Sequence, residues 1–146
     1  MKSRQKITRV QLESETRNDY SLLGIVSAEP DYRLSLSINK ALRISLKNDR
    51  PVEIAGLKTA DKHFSRFSDH SGVHEISYDL ISNKSGNEFL LGKLKKIDYI
   101  FQVYSPENDF ELTTISASLR AIENITAVFV LDPTEIKDKN LQYLIP

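Results

Sequence analysis

The strongest constraint on the fold is a pair of apolar segments separated by a helical pattern. Residues 97–104 (IDYIFQVY) carry large apolar side chains at both alternating sets of positions, which is typical of a strand buried on both faces. Residues 126–131 (TAVFVL) form a second segment, also expected to be a buried strand, that ends at Asp132-Pro133. Between them, apolar residues recur at helical spacing: Leu112, Ile115, Leu119 and Ile122. This order predicts a C-terminal β-α-β unit, right-handed and with parallel strands if both belong to one sheet.

The segments before this unit indicate more strands and a further helix. Residues 31–46 (DYRLSLSINKALRISL) fit either an alternating strand or a helix face, and their length and Pro30 favour a helix. Phe89, Leu90 and Leu94 are expected to pack as one short helix. Strands are predicted at residues 6–12 (an edge strand), 20–26 (a strand or a buried connector), 51–57, 63–67 and 75–81, with a hairpin turn at residues 68–72.

These elements together predict an α+β fold. It consists of a mixed, largely antiparallel sheet with two main helices on one face and the C-terminal β-α-β unit. The 146 residues suit a single domain, 1–146, that can bury a core without disulfides or metals. Its tail, 133–146, ends in an apolar patch that is expected to pack on the body or, if free, to bind a partner: Leu141, Tyr143, Leu144 and Ile145.

Composition excludes several function classes. The chain has no cysteine, which rules out disulfides, thiolate metal sites and cysteine nucleophiles. Its 20 basic and 20 acidic residues cancel, whereas nucleic-acid-binding proteins commonly carry a basic excess. The N-terminal residues lack the apolar core of a signal peptide, and no apolar run is long enough to span a membrane. We therefore expect a cytoplasmic protein without membrane contact.

No motif for catalysis or nucleotide binding is present, so we expect neither an enzyme nor a cofactor. His70 and His74, beside Asp69 and Glu75, could bind a metal ion, but their spacing crosses a turn and favours solvated side chains. His63 is expected to face His74 across the hairpin. Two other carboxylates, those of Asp98 and Asp132, could meet at neighbouring strand ends, where a structural role is favoured over acid–base chemistry.

A few polar residues stand out as candidate interaction or structural groups. Arg33 can hold a carboxylate or phosphate through two hydrogen bonds, and the favoured alternative is an internal salt bridge at the helix start beside Asp31 and Tyr32. Asn39 is a poor helix former in mid-helix, so its side chain should bond a specific group, most often backbone. Three further candidates are Asn83 and Lys84, expected in a turn, and Asp98, whose charge in an apolar strand requires a partner.

Residues 91–99, LGKLKKIDY, resemble the signature I-P-E-x-x-x-V-D-Y of the bacterial IPExxxVDY family. Ile97, Asp98 and Tyr99 stand at V-D-Y, whereas Gly92 and Lys93 replace the Pro and Glu of the signature. Residues 24–42, 78–85 and 118–136 resemble three other elements of the family, so the likeness covers nearly the whole chain. The family has no assigned activity. Its members are small cytoplasmic proteins often encoded beside ribonuclease III, which hints at RNA-related work.

The sequence thus favours a non-enzymatic interaction or adaptor domain with a protein partner or a second copy of itself. One alternative is a small-molecule sensor similar to ACT domains, which also use β-α-β units. Another is an RNA-associated accessory protein, which would contact RNA through the two local clusters of basic residues: Lys2, Arg4, Lys6 and Arg9, and Lys93, Lys95 and Lys96.

Overall fold

The computed structural model of the protein describes residues 19–55, 61–70, 76–106 and 112–144. The elements are β1 (Tyr20–Val26), α1 (Asp31–Leu42), β2 (Lys47–Ile54), β3 (Lys62–Asp69), β4 (Ser77–Ser82), β5 (Lys84–Ser85), β6 (Glu88–Phe89), β7 (Tyr99–Tyr104), α2 (Leu112–Arg120), β8 (Ala127–Leu131) and a 3₁₀ helix, Lys139–Tyr143. The strand predicted at residues 6–12 lies outside the described residues. None of the helices in these ranges is long and apolar enough to cross a membrane.

Six strands form one sheet in the order β2-β3-β4-β7-β1-β8, and every neighbouring pair is antiparallel. The fold is therefore α+β with a largely antiparallel sheet, as predicted. Because β1 pairs with both β7 and β8, those two strands run parallel to each other with β1 between them. The C-terminal β-α-β unit is thus present in outline, but its two strands are not adjacent.

Both helices pack on one face of the sheet, which confirms the predicted arrangement. Each helix contributes apolar side chains to one core cluster, and alternate residues of the strands point into the same cluster. The helix residues are Leu34 and Ile38 of α1 and Ile115 and Leu119 of α2. The first helix follows Pro30, which has extended backbone, and carries Asp31 in its first turn. It is shorter than the predicted segment, because Arg43 adopts the left-handed conformation at φ 57° and ends it.

The opposite face of the sheet is covered by the segment between β4 and β7 and by the C-terminal residues. Leu90, Leu91, Ile97 and Leu144 are buried there in a second cluster, against Leu22, Phe64, Ile81 and Ile100 of the strands. The predicted short helix at Phe89–Leu94 is wrong. Phe89 belongs to β6 of a two-stranded hairpin, and turns follow it up to Ile97.

Asn83 organises this covering segment from a fully buried position, with 0% of its surface exposed. Its Nδ2 donates to the carbonyl oxygens of Leu94 and Ile97, each at 2.9 Å, and its Oδ1 accepts from the Leu91 N–H at 2.7 Å. Backbone bonds from the Asn83 N–H to Asp98 and from Leu90 to Asn83 close the loop. These bonds satisfy buried polar backbone that no regular element pairs.

Gly24, in the middle of β1, lets the covering segment approach the sheet. A Cβ at this position would lie 2.8 Å from Cδ1 of Ile97 and 3.2 Å from its Cγ1, closer than packed carbon atoms allow. The absence of a side chain at Gly24 therefore creates the space that the buried Ile97 fills.

β8 is an edge strand of the sheet and not the buried strand predicted from its composition. It pairs with β1 on one side, and within the described residues no strand pairs with its other side. Phe129 is 50% exposed and Val130 is 58% exposed. An apolar composition cannot distinguish a central strand from an edge strand, because sheet order is set by long-range pairing.

Candidate functional site

Asp98, at the entry to β7, has both of its carboxylate oxygens engaged by the same chain. Oδ2 accepts a hydrogen bond from the Ser27 N–H at 2.9 Å, and Oδ1 lies 2.6 Å from Nζ of Lys84. The Asp98 N–H donates to the Ile25 carbonyl at 2.9 Å and fixes the residue against β1. Its charge is therefore balanced and hydrogen-bonded locally, which is the requirement for a partly buried carboxylate.

Tyr99 adds a second tie between β7 and the residues before α1. Its hydroxyl donates to the carbonyl oxygen of Glu29 at 2.5 Å. Burial raises the pKa of Tyr99 to about 12, and the negative charges of Asp31, Asp98 and Glu29 act in the same direction. The phenol consequently remains a neutral hydrogen-bond donor throughout the physiological range.

The Asp31-Tyr32-Arg33 triplet lies on the exposed start of α1, next to this junction. Nε of Arg33 is 3.8 Å from Oε2 of Glu29, so the expected salt bridge involves Glu29 and not Asp31. Oδ1 of Asp31 accepts from the Tyr32 N–H at 2.7 Å. An exposed ion pair of this length contributes at most about 1 kcal/mol, and the guanidinium of Arg33 is largely exposed to solvent.

Segments from four parts of the chain meet at this junction. Ser27 bonds Asp98 through its N–H and donates from Oγ to the Asn124 carbonyl at 2.6 Å. Lys84 pairs with Asp98, and Tyr99 bonds Glu29. The polar groups bond one another across these segments, which is the geometry of a structural junction.

Asn39 lies at the other end of α1 and has a separate role. Its Oδ1 accepts from the Leu46 N–H at 2.7 Å, and its Nδ2 donates to the Leu46 carbonyl at 3.2 Å. As expected for a mid-helix asparagine, it bonds backbone. The pair of bonds ties the helix to the chain that enters β2, so Arg33 and Asp98 share one region and Asn39 belongs to another.

The carboxylates of Asp98 and Asp132 are not brought together. Asp98 bonds next to Ile25, towards the end of β1, whereas Asp132 follows Leu131, which pairs with Leu22 near the start of β1. Asp132 instead accepts from the Thr134 N–H and hydroxyl at 2.9 and 2.8 Å, as a turn residue does.

The histidines in the described ranges pair with single carboxylates. Nδ1 of His63 is 3.4 Å from Glu53, and Nε2 of His70 is 3.2 Å from Asp79. His74 lies outside the described residues, so its predicted approach to His63 is untested. Within the ranges that the structure describes, no group of three or more His, Cys, Asp or Glu residues is placed to hold a metal ion.

Sequence reasoning missed a groove of about 510 Å³ beside β8. Its apolar lining includes Phe129 and Leu131 of β8, with Leu94 and Ile97 of the covering segment. Three exposed lysines, Lys93, Lys95 and Lys96, surround it, and none of the described residues that line it is acidic. Lys93 also donates to the carbonyl oxygen of Lys137. In the sequence, the run of lysines indicates the rim of this groove, whereas part of its apolar lining comes from β8, a distant segment of the chain.

The C-terminal patch suggested as a partner surface is largely turned inward. Leu144 is buried and Leu141 is partly buried, both in the second core cluster, so they do not present an exposed surface. Tyr143 remains 42% exposed, and Ile145 lies outside the described residues. The carbonyl of Leu144 accepts from Nε2 of the buried Gln102 at 2.7 Å, which fixes the end of the described tail to β7.

Comparison of the chain with protein-family models, with curated proteins and with solved structures finds no match in any of the three.

Proposed function

We propose that this protein is a non-enzymatic interaction domain that binds an extended, acidic segment of a partner protein along β8. The observation that carries the proposal is the exposure of Phe129 and Val130 on an edge strand, beside an apolar groove surrounded by lysines. Soluble proteins usually protect such edges, since exposed strands pair with other chains. An apolar edge that is left open beside a groove is typical of proteins that accept an added strand.

The backbone of β8 supports strand addition. In an antiparallel ladder, alternate residues direct their N–H and C=O groups away from the partner strand. The Val128 carbonyl accepts a hydrogen bond from Nη2 of Arg120 at 3.0 Å, so it points away from β1. By the same alternation the polar backbone of Val130 also faces outward. An added strand would bond to the outward groups of Val130 and to the Val128 N–H, beside the carbonyl that Arg120 already engages, and its side chains would contact Phe129 on one face and Val130 on the other.

The charges around the groove select among partner segments. Lys95 and Lys96 are exposed, and no carboxylate forms an ion pair with either of them among the residues that the structure describes. A segment with alternating apolar and acidic residues would fill the groove and place its carboxylates near the lysines. Complementary charge of this kind raises the association rate and excludes basic partners.

The proposal is tested with two synthetic peptides of alternating valine and charged residues, one with glutamate and one with lysine. Fluorescence anisotropy at low salt should show binding of the glutamate peptide and at least tenfold weaker binding of the lysine peptide. Phe129→Ser should weaken the glutamate peptide by tenfold or more, because it removes an apolar anchor. The matched control is Leu36→Ser, which removes a 65% exposed leucine from α1 and should have no effect.

Equal binding of the two peptides, or equal effects of the two substitutions, would contradict the proposal. The RNA-associated alternative depends on the same lysines and is distinguished by a single-stranded RNA of mixed sequence. If that RNA binds more tightly than the glutamate peptide, with an affinity that falls steeply with salt, the groove is a nucleic-acid surface and the proposal is wrong.

We also propose that the chain belongs to the IPExxxVDY family. The proposal is supported by the contacts that join the four segments carrying the resemblance. One of these contacts, the hydrogen bond between Ser27 and Asn124, joins residues that are 97 positions apart in the sequence. A bacterial cytoplasmic protein would follow from that membership.

A further inference from the structure

The face of the sheet opposite the helices is polar at one end, although the strands there are central ones. Gln102 and Tyr104 of β7 point to this face, in register with Asp79 and Ser77 of β4 and with Leu22 and Tyr20 of β1. Gln102 is buried, and its amide donates to the Leu144 carbonyl. Polar side chains on central strands are costly to bury, so their concentration in one place requires a reason.

These residues line a pocket of about 280 Å³ between the sheet and the end of the described tail. Its walls include three tyrosines, Tyr20, Tyr104 and Tyr143. The rings of Tyr20 and Tyr104 are 4.7 Å apart at an angle of 47°, a tilted pair. The volume lies just below the range typical of small-molecule sites, roughly 300–1,000 Å³. A compact ligand of a few heavy atoms is what such a pocket can hold.

The pocket contains a carboxylate whose two oxygens are unequally engaged. Oδ1 of Asp79 accepts from Oγ of Ser68 at 2.5 Å and lies 3.2 Å from Nε2 of His70. Oδ2 is contacted only by the same histidine nitrogen among the described residues, at a longer 3.4 Å. Oδ2 therefore retains capacity for a donor from a ligand, and the ionised group makes that part of the pocket negative.

One wall of the pocket carries a positive group, Arg66 of β3, which β4 separates from the strands that bear Tyr104 and Tyr20. Nε of Arg66 donates to the Arg50 carbonyl on β2 at 3.0 Å. The pKa of Asp49 is lowered, first by a hydrogen bond from the Arg50 N–H, then by the Ser68 hydroxyl and the charge of Arg66. Asp79, which pairs with Gln102 across β4 and β7, is the lining carboxylate beside the strands that carry Tyr104 and Tyr20.

We propose that this pocket binds a small organic ammonium ion. The faces of tyrosine rings attract cations, and an adjacent carboxylate adds charge complementarity, which is the arrangement by which quaternary ammonium groups are recognised. The ammonium would lie between the tyrosine rings and Oδ2 of Asp79, with Gln102 and Ser77 available to a hydroxyl or carbonyl of the ligand. This site is separate from the β8 groove and does not depend on the partner proposed there.

The test compares choline with 3,3-dimethylbutan-1-ol, a neutral molecule of nearly the same shape. Titration of the ¹⁵N-labelled protein, followed by amide chemical shifts, should show choline shifting the signals of Asp79, Gln102 and Tyr104. The dissociation constant of choline should be at least tenfold lower than that of the neutral alcohol. Inorganic phosphate, titrated in the same way, should leave these signals unchanged.

Two substitutions assign the interaction to its groups. Asp79→Asn keeps the shape of the side chain and removes its charge, so choline should bind at least tenfold more weakly while the alcohol is unaffected. Tyr143→Ala removes the most exposed of the three rings, serves if Asp79→Asn fails to fold, and should weaken choline several-fold. The matched control, Glu123→Gln, removes an exposed carboxylate outside the pocket and should leave binding unchanged.

Three results would each overturn the proposal. The first is equal affinity for choline and the neutral alcohol, which would describe an apolar pocket. The second is tighter binding of phosphate than of choline, which would assign the site to Arg66 and His70. The third is the absence of any shift at these residues at tens of millimolar choline.

Discussion

The hydrogen bonds of Asn83 predict a large loss of stability on Asn83→Ala. The substitution removes three side-chain hydrogen bonds, of 2.7, 2.9 and 2.9 Å, from a site with no exposed surface. A hydrogen bond contributes about 1 kcal/mol net, and a buried group left without a partner costs about 1–3 kcal/mol. Two such groups remain after the substitution, the Leu91 N–H and the Ile97 carbonyl, because the Leu94 carbonyl keeps its hydrogen bond from the Ile97 N–H at 3.0 Å. We expect the free energy of unfolding to fall by about 3–5 kcal/mol.

Urea denaturation followed by far-UV circular dichroism measures this change, since the chain has no tryptophan. A loss of this size corresponds to a fall in melting temperature of roughly 10–20 °C for a domain of this length. The matched control is Asn87→Ala, an exposed asparagine in the adjoining β5–β6 hairpin, which should change stability by less than about 0.5 kcal/mol.

A second substitution, Asn83→Asp, separates the polar contacts from the shape of the side chain. The aspartate cannot donate to both carbonyls and places a charge in a buried site, which raises its pKa. The folded variant therefore prefers the protonated form, and its deficit relative to wild type should shrink as the pH falls below that raised value. A loss under about 1 kcal/mol for Asn83→Ala, or a pH-independent deficit for Asn83→Asp, would refute the reasoning.

Two further predictions concern the same region. The pKa of Tyr99 is about 12 in the folded protein and 10.0 in the free side chain, so its contribution to stability is complete below about pH 10 and is lost as the pH rises towards 12. Urea titrations from pH 8 to 12 should therefore show a smaller alkaline loss of stability for Tyr99→Phe than for wild type. Equal losses in the two proteins would contradict the assignment. Gly24→Ala should destabilise by about 1–3 kcal/mol, since the added methyl group would lie 2.8 Å from Cδ1 of Ile97. In a double-mutant cycle, Ile97→Val should recover part of this loss, and strict additivity would show that the two residues do not meet.

The periodic parts of the fold were predictable from the sequence. Alternation along the strand predicted at residues 75–81 places Ile76, Tyr78 and Leu80 on one face, and all three pack on the helix side of the sheet. Helical spacing identified α2 and the face that it buries, whereas α1 also required the length of its segment and Pro30 to decide between strand and helix. These elements are predictable because one side of each contacts the core, so their apolar residues recur with the period of a helix or a strand.

The segment between β4 and β7 was not predictable in the same way. Its conformation depends on Asn83, a single polar side chain that bonds three backbone groups, and such bonds leave no periodic pattern. The partners of Asp98 were also hidden, because the Ser27 N–H lies 71 residues away along the chain. Predicting the groove beside β8 would have required the order of strands in the sheet. That order places β8 at an edge and leaves Phe129 exposed.

The position of β1 between β7 and β8 sets the order in which the sheet can be completed during synthesis. Tyr20 pairs with Tyr104 and Leu22 with Leu131, so the partners are roughly 80–110 residues apart along the chain. At about 5–20 residues per second, β1 leaves the ribosome on the order of 5–20 seconds before β8. Until β7 and then β8 are made, Leu22, Leu23 and Ile25 lack one or both of the strands that flank β1 in the sheet. Among the strands that the structure describes, the one made first is therefore among the last to gain both of its neighbours, and nascent chains that stop before residue 127 should be bound by chaperones.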